Sequence, residues 1–171
     1  DIVKCKQPVW DGASEIVVGS LQVAPYDNIN TALVELAKFH FNTPITIKLQ
    51  DGIHTLTDEF AIQNFLNDKN VLNLDSVSGV KENTTLRSTT TSTLNFGSLS
   101  ISDLTLQTNS SNSIFSIKNS GTSLILSNVR ILVQTTVSNS FNVSLNASIT
   151  LNNCFVQDSD TTNFTNSIFS L

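Results

Sequence analysis

The chain has 171 residues, a formal net charge of −5 and only 13% charged residues. That length is enough for one domain with a substantial core. The low, mildly acidic charge leaves no basic stripe for nucleic acid, and no apolar run approaches the roughly 18–20 residues needed to cross a bilayer. Met is absent, and a start at Asp1-Ile-Val suits a processed product or a segment of a longer protein.

Taken in order, residues 1–43 read as an N-terminal region and 44–171 as a repetitive one. The stretch Asp1–Gly19 holds Cys5, Trp10 and an apolar run at Ile16-Val-Val, an arm followed by a first strand. Ala24-Pro-Tyr-Asp-Asn is a turn, with Asp27 or Asn28 capping a helix. Ile29, Ala32, Leu33, Leu36, Ala37 and His40 share one helical face, so the helix is expected to run to Phe41-Asn42, just before Pro44. Ile45–Leu49 is a buried strand, followed by an Asp51-Gly52 turn and His54, which is read as structural. Val71–Leu74, Leu94–Phe96, Phe115–Ile117, Val143–Leu145 and Phe169–Leu171 are read as the opening strands of successive coils. Loops bulge between them at 108–112, 134–139 and 157–166.

From residue 99 a repeat governs the pattern. Leu99–Leu106, Leu124–Ile131 and Ile149–Val156 superimpose at offsets of 25 residues. Four apolar columns stay in step: Leu99/Leu124/Ile149, Ile101/Leu126/Leu151, Leu104/Val129/Cys154 and Leu106/Ile131/Val156. Within each unit the apolar residues alternate, as in a strand with one face buried, slip by one at Asp103, Asn128 or Asn153, and alternate again. The slip marks a sharp corner at residues that tolerate a left-handed backbone. A repeat of this length signals a solenoid, whose units bury their apolar faces only by stacking. An ordinary antiparallel β-sandwich with similar strands is the alternative. From Asn83 onward about half the residues are Ser, Thr or Asn, which suit the outward face of stacked parallel strands.

With these columns the chain resembles the right-handed parallel β-helix proteins of the pectate-lyase-like group, in which stacked Asn residues occupy the tight corner between the second and third strand of each coil. The resemblance implies an all-β, right-handed solenoid of about 25 residues per coil over 44–171, with a short helix capping its N-terminal end. It also implies that polysaccharide-cleaving members would carry carboxylates and basic groups on the outer face of the first strand of each coil, or on neighbouring loops. The outward residues there are expected to be Lys48, Asn73, Asn95, Ser116, Ser144 and Ser170, with no carboxylate among them. The group's hydrolase signatures (Asn-Thr-Asp, paired Asp, Gly-His-Gly) are missing. Glycoside hydrolysis needs two carboxyl groups about the scissile bond, and Asp158-Ser-Asp160, the one close acid pair in the later coils, reads as a solvated loop.

No catalytic, cofactor-binding or metal-binding constellation is expected: His40 and His54 form no cluster with Cys, and neither a phosphate loop nor a nucleophile elbow is present. Five sequons, Asn83, Asn109, Asn142, Asn146 and Asn163, are candidate glycosylation sites. Cys154 is expected in the core, and Cys5, several coils away, to be free or in an interchain disulfide. Asn112–Ile117 and Asn166–Leu171 are nearly the same hexapeptide, so a new coil is expected to open at 166. Its exposed end would be covered by further coils or by another chain, and an isolated stable monomer is not expected. The function read from these features is a non-enzymatic extracellular structural or adhesive module of a fibre, filament or virion or cell surface. It would self-associate or bind a partner chain, with a glycan as a further candidate ligand. A polysaccharide-active enzyme or carbohydrate-binding module with its active residues elsewhere is the alternative.

Overall fold

The computed structural model describes residues 7–66, 71–107, 113–133, 139–143, 147–158 and 167–170. They form a parallel β-solenoid with three walls. The first wall is a six-stranded sheet of β1 (Glu15–Val18), β2 (Ile45–Leu49), β4 (Val71–Ser76), β7 (Ser98–Ser102), β10 (Ser123–Ser127) and β13 (Ser148–Asn152). The second stacks β3 (Gly52–Leu56), β5 (Thr84–Ser88), β8 (Thr105–Gln107), β11 (Arg130–Val133) and β14 (Phe155–Asp158). The third stacks β6 (Ser92–Leu94), β9 (Phe115–Ile117), β12 (Asn139–Val143) and β15 (Ser167–Ser170), giving about four turns in which all three walls are strands.

The anticipated register holds. Leu99, Leu124 and Ile149 are Cα partners, as are Ile101, Leu126 and Leu151, and Leu106, Ile131 and Val156. Alternation explains the burial: in β7 and β10 Leu99, Ile101, Leu124 and Leu126 point into the core while Ser98, Ser100, Ser102, Ser123, Ile125 and Ser127 face outward. The third wall carries its own column, in which the rings of Phe115 and Phe141 stack with centroids 6.5 Å apart. Spacing is constant where corners are tight, 25 residues from Ser98 to Ser123 and 25 from Ser123 to Ser148. On the third wall it drifts, 26 from Phe115 to Phe141 and 28 from Phe141 to Phe169, since the loops of variable length adjoin that wall.

Two helices stand where early turns lack a third-wall strand. Helix α1 (Ile29–Leu36) is capped by Asn28, whose Oδ1 accepts from the Asn30 amide at 2.8 Å, and it buries Ile29, Ala32, Leu33 and Leu36. It stops at Leu36 rather than at Phe41-Asn42. The amides of Lys38 and Phe39 turn back to the carbonyls three residues earlier, tightening the chain out of the helix. The His40 amide then donates to Pro8 and the Trp10 amide to His40, while Trp10 packs edge-on against Phe39. His40 is therefore a bridge residue and not part of the helical face. Helix α2 (Ala61–Leu66) was not expected, although Ala61, Ile62, Phe65 and Leu66 follow a helical period and Asp58 accepts from the Phe60 amide. α1 packs on α2 and β3, and α2 on β6, so the helices continue the third wall. Gln63 of α2 accepts from the backbone amides of Asn95 and Phe96, just past β6.

Candidate functional site: the corner column and outer wall

Asp103, Asn128 and Asn153 sit at the corners between the first and second walls, with φ of 53°, 54° and 51°. One residue in this conformation turns the chain without breaking either strand, and Asp and Asn accept it because their short side chains bond locally. Their side chains form a ladder: Asn128 Nδ2 donates to Asp103 Oδ1 at 2.6 Å, and Asn153 Nδ2 to Asn128 Oδ1 at 3.2 Å. Lys81 reaches the same carbonyl of Asn128 at 3.3 Å, and its own backbone carbonyl accepts from Thr105 Oγ1. The predicted column is thus one connected hydrogen-bonded feature, anchored on a lysine from the preceding turn.

The outer face differs from expectation. Lys48 and Asn73 belong to the first wall and Ser116 to the third, so they are not one row. Lys48 and Asn73 are not even in one column: Thr46 pairs with Asn73, and Lys48 with Asp75. The assignment failed because helices replace the third wall in the early turns, so the strands read there were first-wall strands. Asp75 was missed in consequence. Its carboxylate lies 2.5 Å from Lys48 Nζ, an acid and a base in contact on the outer wall. Accepting that hydrogen bond, Asp75 raises the Lys48 pKa above its usual value; desolvation opposes the rise, while Asp75, Glu15 and Asp103 add attraction. Only the pairing of strands 27 residues apart reveals this contact, which no local motif encodes.

The second wall carries two hydrogen-bonded guanidinium groups. Arg87 donates twice to Gln107 Oε1, at 3.0 and 2.9 Å, and Arg130 Nε donates to Thr105 Oγ1 at 3.1 Å. His54 is buried on the inward side of β3 and its Nε2 lies 2.7 Å from the Gln50 carbonyl, the structural placement expected. Asn83 is exposed at the entry to β5, its amide 3.4 Å from Asp51 Oδ2. Asn142 lies in β12; Asn109, Asn146, Asn163, Cys5 and Ser144 of the expected outward row fall outside the described residues. Cys154 takes its core column but is half-buried, with Sγ 3.5 Å from the Leu126 carbonyl. Asp158 ends β14 instead of lying in a loop, and Asp160 is outside the described residues. Among the described residues no group of three His, Cys, Asp or Glu side chains is placed to hold a metal, and no helix is long and apolar enough to cross a membrane.

Comparison with family models, with curated proteins and with solved structures returned no match for this chain.

Proposed function

We propose that this chain is a non-enzymatic, extracellular structural or adhesive β-helix module of a fibre, filament or surface protein. The observation that carries the reading is how the outer wall uses its polar groups: they bond to the next coil. Serine meets serine at 2.8 Å (Ser98 and Ser123), amides donate to the Asp103 carboxylate and the Asn128 carbonyl along the corner column, and Lys48 is matched to Asp75. Groups spent on holding neighbouring coils stiffen a rod. The reading includes right-handed winding, the hand that parallel crossovers favour, and a covering role for α1 at the N-terminal turns. It also includes association through the last described turn, where Leu151 and Phe155 are 38% and 57% exposed. Glycans at accessible sequons such as Asn83 and an interchain disulfide through Cys5 belong to the same extracellular reading.

One observation favours a second reading, a polysaccharide-active or carbohydrate-binding module. Lys48 and Asp75 put a base beside an acid on an outer wall, and general acid–base chemistry needs such groups. Incubation with acidic and neutral polysaccharides separates the two. The structural reading expects neither new reducing ends nor unsaturated products. Cleavage that disappears in Asp75→Asn would establish the second.

A further inference from the structure

On the outward side of the second wall, Thr85, Thr105 and Arg130 form one column and Arg87, Gln107 and Leu132 the next. Two arginines therefore flank β8, Arg87 on the strand before it and Arg130 on the strand after it. Both lean onto it. Arg87 Nε and Nη2 donate to Gln107 Oε1, and Arg130 Nε donates to Thr105 Oγ1. Thr105 and Gln107 lie two residues apart on one face of the strand, a separation of about 6.6 Å. The two guanidinium groups are thus drawn together over a single strand, each half-buried and each held by an uncharged acceptor.

Donors are left over. Arg130 keeps both Nη groups, and Arg87 keeps Nη1, without a partner among the described residues. No carboxylate neutralises them either, since the ion pairs among the described residues are Lys38–Glu35 and Lys48–Asp75. Of the acids after Arg87, Asp103 takes the corner and accepts from Asn128, Asp158 is in register with inward-facing Val133, and Asp160 lies outside the described residues. Lys81 adds a third positive charge at the corner end, its carbonyl accepting from Thr105 and its Nζ 3.3 Å from Asn128 Oδ1. Like charges gathered without a counter-ion repel, and a bound anion removes that repulsion. Guanidinium groups pair with oxyanions in a two-pronged geometry that the open Nη groups can supply. Phe155, the Cα partner of Arg130, places a ring 57% exposed beside the patch, an apolar face for a sugar ring to rest on. Three cations are a short row for nucleic acid, whose affinity grows with the number of phosphates neutralised.

We propose that Arg87 and Arg130, flanked by Lys81 and Phe155, bind the sulfate or carboxylate groups of an acidic polysaccharide laid across β8. The proposal deepens the adhesive part of the function given above and rests on it, and no bond is broken. In calorimetry, dextran sulfate or polygalacturonate should bind saturably, with an affinity that falls as salt is raised. Neutral dextran should not bind, and the two acidic chains compared tell sulfate from carboxylate. Arg87→Gln and Arg130→Gln should keep the circular dichroism spectrum and each weaken binding about two- to fivefold, the scale of one exposed ion pair. Lys118→Gln, the same change of charge made just past β9 on the third wall, should leave the affinity unchanged. Failure of both acidic chains to bind, equal weakening in Lys118→Gln, or single-stranded poly(dT) binding as tightly as either polysaccharide would overturn the proposal. Should Arg130→Gln not fold, Arg87→Gln decides, and unchanged affinity there would refute it equally. Such a refutation removes this site and leaves the structural reading standing, which fails separately, on the appearance of cleavage products.

Discussion

The early and the late turns of this solenoid solve the same packing problem with different materials. From β1 to β5 the third wall is two helices, the corners are longer and charged side chains cluster, with Lys48 tied to Asp75 and Lys81 reaching forward to Asn128. From β7 onward every wall is a strand, each corner between the first two walls is a single left-handed residue, and the outward groups are mostly neutral. In the early turns, helix packing and an ion pair support the columns. In the late turns, short side chains 25 residues apart do so, serine on serine and Asn153 on Asn128 on Asp103, and this is possible because such groups stack without like-charge repulsion. The inward columns are indifferent to the change: Leu74, Ile101 and Leu126 are all fully buried. The next member, Leu151, is 38% exposed, so column position alone does not confer burial; a following layer does.

The largest expected effect tests that contrast. Leu126→Ala removes a side chain enclosed on both sides and should cost about 2–5 kcal/mol in denaturant unfolding. Leu151→Ala, in the same column, should cost less than about 1 kcal/mol. Equal losses at the two positions would mean that the last turn is covered as fully as the middle one. Next comes the corner. Asn128→Ala removes two ladder hydrogen bonds and places a residue without a bonding side chain at φ 54°, so a loss of about 1–3 kcal/mol is expected. Asn128→Gly should recover part of it, since glycine accepts that backbone. A thermal melt unchanged by Asn128→Ala would refute the ladder.

Smallest is the early-turn ion pair. Lys48→Met should cost less than about 1 kcal/mol at neutral pH. The Lys48 pKa is raised in the folded protein, chiefly by its hydrogen bond to Asp75. Its stabilising contribution is therefore complete below the unfolded lysine value of about 10.4 and is lost as pH climbs through the higher folded value. The stability gap between wild type and Lys48→Met should stay level from neutral pH to about pH 9.5 and close above about 10.5. A gap that closes near neutrality would assign the stabilisation to another group.

The late turns were legible in the sequence because their columns recur at a fixed offset, and Asp103, Asn128 and Asn153 could each be placed from the one-residue slip between alternating runs. The early turns were not. Ile45–Leu49 and Val71–Ser76 alternate like any strand, so periodicity could not say which wall they joined. The helical period over Ala61–Leu66 is only six residues long, too short to stand out from an apolar strand. The Lys48–Asp75 contact depended on that missing wall assignment, since a 27-residue spacing has no counterpart in the later repeat. The surroundings of His54 were hidden differently: the imidazole was seen, but its aliphatic column became evident only once Leu86 and Leu106 were in register with it.

Parallel register is the claim on which the columns, the corner ladder and the wall assignments all rest. Cysteine pairing tests it most directly, in a background with Cys5 and Cys154 replaced by serine. Ser98→Cys with Ser123→Cys joins register partners whose hydroxyl oxygens are 2.8 Å apart, whereas Ser98→Cys with Ser127→Cys separates the thiols by about four strand residues, roughly 13 Å. Mild oxidation followed by mass spectrometry should show a crosslink in the first variant and little in the second. The reverse, efficient bonding of positions 98 and 127, is what an antiparallel pair of these strands would give, and it would contradict the solenoid.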